Sequence, residues 1–243
     1  MNDNLELVGN MIGNDGARIL FDAFVSRDDF DEAFYDFCGF HYDFLVGNDP
    51  YERFVYRLLK NHYRNDYFIR HTFFDKVLSK KKAVSFFEMP ISSSRVDMAS
   101  INGISVGYEI KTEYDNLHRL SKQIADYSRT LEYIYVVCPH SMVPQVEKTI
   151  PDHCGIYSYD EKRSNSSFKL ILEARRSPAL DASAMLQCML KEELKGSFKK
   201  TSIEAIAEEF SLDEIDKALK ESLKKRYAPR MAEIENRVGL MVG

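Results

Sequence analysis

Around Ala83 the spacing of apolar residues changes from a helical period to alternation. Upstream, Phe54, Val55, Leu58 and Leu59, then Phe68, Phe73, Val77 and Leu78, recur at helical spacing and predict two helices within residues 51–82. Downstream, AVSFFEMPI (83–91), SRVDMASI (94–101) and ISVGYEIKT (104–112) alternate and predict three successive strands. NLHRLSKQIADYSRTL (116–131) returns to a helix, EYIYVVCP (132–139) is a fourth strand and MVPQVEKTI (142–150) a short helix. GIYSYD (155–160) and FKLILEARR (168–176) complete the strands. A β-meander followed by a helical crossover, with helices at both ends, predicts the α/β class with a mixed sheet.

After Ser177-Pro178 the strands stop. DASAMLQCMLKEELKGS (181–197) reads as one amphipathic helix, and TSIEAIAEEFSLDEIDKALKESLKKRYA (201–228) as two joined at Ser211, with the look of a helix-turn-helix. The second of these opens with Leu212-Asp213-Glu214-Ile215-Asp216. Acidic residues there suit the helix dipole but repel phosphate, so packing or protein contact is expected of this helix rather than DNA reading. The chain thus divides into an acidic, aromatic N-terminal extension (1–50), an α/β core (51–178) and a C-terminal helical region (179–243).

Composition narrows the classes. With 243 residues and 44% hydrophobic content the chain can bury a core, and its net charge of −5 gives no general attraction to polyanions. Contact with nucleic acid must be local, and the basic helices of residues 51–82, with Arg53, Arg57, Lys60, Arg64, Arg70, Lys76, Lys80, Lys81 and Lys82, are the place for it. The four cysteines are far apart and form no CxxC pair, which points to reduced, buried thiols. No apolar run reaches the ~20 residues needed to cross a bilayer and the first residues lack signal-peptide features, so a cytoplasmic protein with no membrane partner is expected. No paired-histidine motif, GxxxxGK[ST] or GxGxxG occurs.

Candidate chemistry lies in the second and third strands. Residues two apart share a face, so Glu109 and Lys111 point one way while Tyr108 and Ile110 point the other. A two-residue turn at Asn102-Gly103 would place Asp97 on the opposite face from Glu109. A three-residue loop, Ile101-Asn102-Gly103 with a left-handed Gly103, brings them together and leaves Val96, Met98, Val106, Tyr108 and Ile110 on the other side. The apolar pattern selects the second register, because a one-residue slip would mix Glu with Val. Gly107 then leaves open space beside the carboxylates. Asp115 is placed to cap the following helix, along which Arg119, Gln123 and Tyr127 form a stripe at spacings of four.

Together, Asp97, Glu109-Ile110-Lys111 and the Gln123-to-Tyr127 helix resemble the PD-(D/E)XK nuclease superfamily. RVDMASINGISVGYEIKTEYDNLHRLSKQIADY is similar to a widespread bacterial family of poorly characterised nuclease-like proteins, over roughly residues 84–140. The resemblance implies a restriction-endonuclease-like mixed sheet flanked by helices and metal-dependent hydrolysis of phosphodiester bonds in DNA. Asp97, Glu109 and the Ile110 carbonyl would hold Mg²⁺ or Mn²⁺, hard cations that prefer oxygen ligands. Lys111 would orient water or stabilise transition-state charge, and Gln123, Tyr127 and Arg119 would contact substrate. Many members carry a further acidic residue in the first helix. Glu88, in the first strand, is the nearest candidate here, which leaves open whether one or two metals bind, and Lys82 or Arg95 could equally pair with it. The alternative is an inactive module of the same fold that binds nucleic acid or a protein partner. A homodimer would supply two sites for two strands.

Overall fold

The computed structural model describes residues 66–79, 82–160 and 167–242. The chain forms two units, one of Arg70–Glu235 and one of Met1–Ile69 with Asn236–Gly243. The architecture that follows is that of the former. The acidic extension and the first basic helix expected from the sequence lie outside the described residues.

Helix α1 (Asp66–Phe73) runs into a π-helical turn, Phe74–Leu78. Six strands follow in spatial order β1 to β6: β1 (Val84–Ile91), β2 (Ser94–Asn102), β3 (Ile104–Ile110), β4 (Tyr133–Pro139), β5 (Gly155–Tyr159) and β6 (Phe168–Leu172). The first three pair antiparallel, β3, β4 and β5 pair parallel, and β6 returns antiparallel, giving a mixed sheet. Helix α2 (Leu120–Ser128) makes the crossover from β3 to β4, and α3 (Val143–Thr149) that from β4 to β5. The class expected from the change of period is the class observed.

Both faces of the sheet are covered, as parallel strands require. On one face Phe73 of α1 packs at 5.0–5.2 Å between ring centroids against Tyr108, Tyr157 and Phe168. On the other, Leu120, Ile124, Tyr127 and Leu131 meet Ala99, Ile134, Val136 and Ile156 in one continuous core. That core extends into α4 (Ala182–Gln187), α5 (Lys191–Phe198), α6 (Ile203–Glu209) and α7 (Leu212–Val242) through Met185, Leu194, Ile206, Ile215, Leu219 and Leu223. Tyr227 of α7 stacks on Phe86 of β1 at 4.3 Å. Lys220 ties α7 to the start of β4, donating to Glu132 at 2.9 Å and to Asp216 at 2.6 Å. Among the described residues, no helix is long and apolar enough to cross a membrane.

The single helix expected over 181–197 is two. Leu190 is extended (φ −74°, ψ 156°) and its N–H donates to the Glu193 carboxylate at 2.8 Å, starting α5 afresh. At Ser211 the expected junction is present, and Glu214 accepts from the Ser211 N–H at 2.9 Å as in a capping box. β6 stops at Leu172, short of the strand expected to run to Arg176. Cys138 and Cys154 are buried free thiols, pushed up to about 12 by burial.

One glycine is sterically required. A Cβ on Gly155 would stand 2.3 Å from the Tyr135 ring and 2.7 Å from the Leu172 carbonyl oxygen. Tyr135 has little room to retreat, because its hydroxyl is bonded to Glu173 at 2.7 Å. Gly155→Ala is therefore expected to cost about 2 kcal/mol or more, read from the urea midpoint.

Candidate active site

The site begins with the β2–β3 hairpin. Pairing runs from Met98↔Tyr108 to Asn102↔Ile104, with Gly103 alone at the tip at φ +76°. The connection is tighter than the expected three-residue loop, but it differs in register by two residues, so the faces are preserved. Asp97 lies one residue beyond the last pair, Met98↔Tyr108, and its carboxylate reaches the Ile110 N–H at 2.7 Å.

Two expectations about this hairpin need correction. Val96 does not share the face of Tyr108; it lies on the Gly107 face, 3.5 Å from where a Gly107 Cβ would be. The cause is an irregularity at Glu88, which has φ +57° and interrupts the pairing between Phe87↔Met98 and Met89↔Val96. Beyond it both strands change phase, and Phe86 and Met89 reach the same core together with Val96 and Ala99. Nor does Gly107 leave open space: Leu131 Cδ1 would be 2.7 Å from its Cβ, so the glycine admits the Leu131 side chain, in the connection from α2 to β4, rather than a ligand.

Glu109 is the hub. It is 1% exposed, and its Oε1 accepts from Lys111 Nζ at 2.8 Å and from Gln123 Nε2 at 2.6 Å. The Tyr127 hydroxyl lies 2.8 Å from Glu109 Oε2 and 2.7 Å from the Arg95 carbonyl oxygen. With one proton it donates to one of them at a time. Burial, followed by the Glu109 charge, pushes the Tyr127 phenol far up, so it stays a donor. Lys111 Nζ also donates to Gln123 Oε1 at 3.2 Å. The Lys111 backbone is held on both sides, its N–H by the Val137 carbonyl at 2.8 Å and its carbonyl by the Tyr159 hydroxyl at 2.9 Å.

Asp97 closes the arrangement. Its Oδ2 accepts from the Ile110 N–H at 2.7 Å and its Oδ1 faces Arg70 Nη2 at 3.5 Å. Burial first, and then the Glu109 charge, push the Asp97 carboxyl up to about 8, and Arg70 and the Ile110 N–H only partly offset them. Glu88, with its side chain 45% exposed, is ion-paired to Arg70 Nη1 and lies 3.9 Å from Arg95 Nε.

Asp97, Glu109, Lys111, Gln123 and Tyr127 therefore converge, with Ile110 bonded to Asp97 and Glu88 joined to Asp97 through Arg70. Arg119 does not reach them; it is exposed, at the start of α2. Asp115 does not cap α2, which has no side-chain cap, and instead accepts from Thr112 N and Oγ1 at 2.7 and 2.8 Å, folding the loop after Lys111. A cavity of 410 Å³ lined by Asp115, Asn116, Leu117, His118, Gln145 and Thr149 borders that loop but not the carboxylates.

Two participants escape sequence reasoning. Arg70 stands in a helix read as an outward basic face, yet it is 6% exposed and turned onto two carboxylates. Tyr159 gives no motif signal, and only the parallel pairing of β4 with β5 brings it to Lys111.

Among the described residues no group of three His, Cys, Asp or Glu side chains is arranged to hold a metal. The oxygens at hand are the carboxyls of Asp97 and Glu109, which accept from the Ile110 N–H and from Lys111, Gln123 and Tyr127 respectively. By donor chemistry alone, two carboxyls, one buried and one partly buried, with the rest of the shell left to water would suit a hard cation such as Mg²⁺ rather than Zn²⁺.

Fold and site define a mixed α/β protein whose sheet carries two carboxyls and a lysine across one hairpin. The chain belongs to the family described as bacteriophage P4 protein cII, whose model matches residues 59–239. It is similar to protein cII of Enterobacteria phage P4, 28% identical over 146 residues, which is 56% of this chain and 55% of that protein. The similarity thus spans about half the length of that relative. No solved structure matches the chain.

Proposed function

We propose that the chain is a metal-dependent nuclease of restriction-endonuclease-like fold that hydrolyses phosphodiester bonds in DNA. The observation that carries this reading is the convergence of Asp97, Glu109 and Lys111, braced by Gln123 and Tyr127. Salt bridges at strand ends are ordinarily exposed. Here Glu109 and Lys111 are 1% and 7% exposed, and a buried ion pair costs desolvation that a surface pair avoids.

Asp97, Glu109 and the Ile110 carbonyl would hold Mg²⁺ or Mn²⁺, which when bound polarises the scissile phosphate and lowers the pKa of water. Lys111 has three N–H donors, and two of them are committed to Glu109 and Gln123. The third is directed to the attacking water or a phosphate oxygen, where developing negative charge strengthens the bond. Gln123 and Tyr127 act through Glu109, fixing both of its oxygens. Arg119, exposed at the start of α2 and away from the carboxylates, would contact a phosphate farther along the substrate.

The test is incubation of the full chain with supercoiled, linear duplex and single-stranded DNA in Mg²⁺ or Mn²⁺, with EDTA and Lys111→Ala as controls. Metal-dependent cleavage that Lys111→Ala loses is expected. No cleavage of any form by the parent chain, in either metal, sinks the proposal. A second reading, an inactive module that keeps the fold and binds nucleic acid or a protein, draws on the engagement of Glu88 and Asp97 by Arg70. It requires that binding, whether of nucleic acid or of a protein, be indifferent to metal and to Glu109.

A further inference from the structure

Arg70 occupies a distinctive place. By the family resemblance an acidic residue is expected from the first helix, next to the strand carboxylates. Helix α1 presents a guanidinium there instead, and the acid comes from β1. Arg70 Nη1 is paired with Glu88 and Nη2 faces Asp97 at 3.5 Å, so one planar cation bridges the two carboxylates. The strand is shaped for this contact. Glu88 takes the left-handed conformation, φ +57°, at the one position where β1 and β2 lose their pairing, and the Arg95 guanidinium donates to the Glu88 carbonyl at 3.1 Å. Glu88 is thus engaged by two arginines, one at its carboxylate and carbonyl and one bridging to Asp97.

From this geometry we infer that Arg70 is a positioning residue that stands in for a second metal ion, so that the site takes one divalent cation and not two. The inference rests on the nuclease reading and narrows it. A fixed guanidinium supplies the positive charge that a second ion would bring to Glu88 and Asp97, and its like charge keeps such an ion out. Glu109, Asp97 and the Ile110 carbonyl remain for a single ion. Glu88 then orders Arg70 and is not itself a metal ligand.

Calorimetric titration of the full chain with Mn²⁺ alone, checked by the count of bound Mn²⁺ from electron paramagnetic resonance, tests this without reference to cleavage. The parent is expected to bind one ion, Arg70→Lys one, Arg70→Ala two, and Arg70→Ala combined with Glu88→Gln one again. Two ions in the parent overturn the inference, a result that needs no variant to fold. One ion in Arg70→Ala, with circular dichroism matching the parent, also overturns it while leaving the nuclease reading in place. No ion in the parent removes the metal site and with it both proposals.

Discussion

Glu109→Gln is expected to lower metal-dependent DNA cleavage by roughly 10³-fold while leaving the protein folded. The replacement is close to isosteric, and the surroundings can accept it. A glutamine oxygen in the place of Oε1 keeps the acceptor for Lys111 and Gln123. Its amide nitrogen, in the place of Oε2, meets the Tyr127 hydroxyl, which has a second acceptor in the Arg95 carbonyl 2.7 Å away. The hydroxyl can therefore accept from the amide and donate to the carbonyl. What disappears is the negative charge that would help to bind the metal and that holds Lys111. Glu109→Ala is expected to behave differently, because it leaves a cavity and a buried Lys111 ammonium with only the Gln123 amide oxygen as a partner, at a cost of about 3–5 kcal/mol. Cleavage assays paired with urea unfolding separate the two: loss of activity with a parent-like midpoint for the Gln variant, loss of both for the Ala variant. A Gln variant that cuts as fast as the parent would remove Glu109 from the chemistry.

Asp97→Asn is expected to change the pH dependence of stability. The Asp97 carboxyl titrates at about 8 in the folded chain against an ordinary value of 3.8. Between those values the native state holds a proton that the unfolded chain has released, so stability falls as pH rises through this window. The carboxyl therefore contributes nothing adverse at pH 4 or below and is most destabilising at and above pH 8. Removing its charge should leave the melting temperature nearly unchanged at pH 4 and raise it by roughly 5 °C or more at pH 8, in the absence of metal. The same variant should lose Mn²⁺ binding. In the parent, binding should strengthen with pH up to about 8, because the ion must displace the Asp97 proton. Thermal scans at the two pH values, with and without Mn²⁺, check both signs at once. A melting temperature lowered at pH 8 would contradict the first.

The face of Glu109 and Lys111 was legible because β3 is regular, and strict alternation around Tyr108 and Ile110 leaves no other phase. The partner strand was only half legible. Val96 is misplaced by its sequence pattern because the phase change depends on Glu88 adopting a positive φ. Nothing in FFEMP announces that conformation, which accompanies the contact with Arg70, distant in sequence. The inward turn of Arg70 is hidden for a related reason: an arginine on a basic amphipathic helix has the same local signature whether it faces solvent or a carboxylate pair. Asp115 shows the opposite failure. Its spacing suits a helix cap, but the loop closes on Thr112 first and α2 starts later. The break between α4 and α5 carries no Gly or Pro, and Leu190 is not a residue that marks a helix start.

The stack of Tyr227 on Phe86 also has a meaning for the growing chain. Strands β1 to β3, which hold Asp97 and Glu109 and lead directly into Lys111, leave the ribosome long before α7 does. Until Tyr227 and Leu223 arrive, the apolar face around Phe86 lacks its cover. Completion of the sheet's packing is thereby tied to the synthesis of α7, and a chain released before α7 is made would expose a sticky surface and become a substrate for quality control.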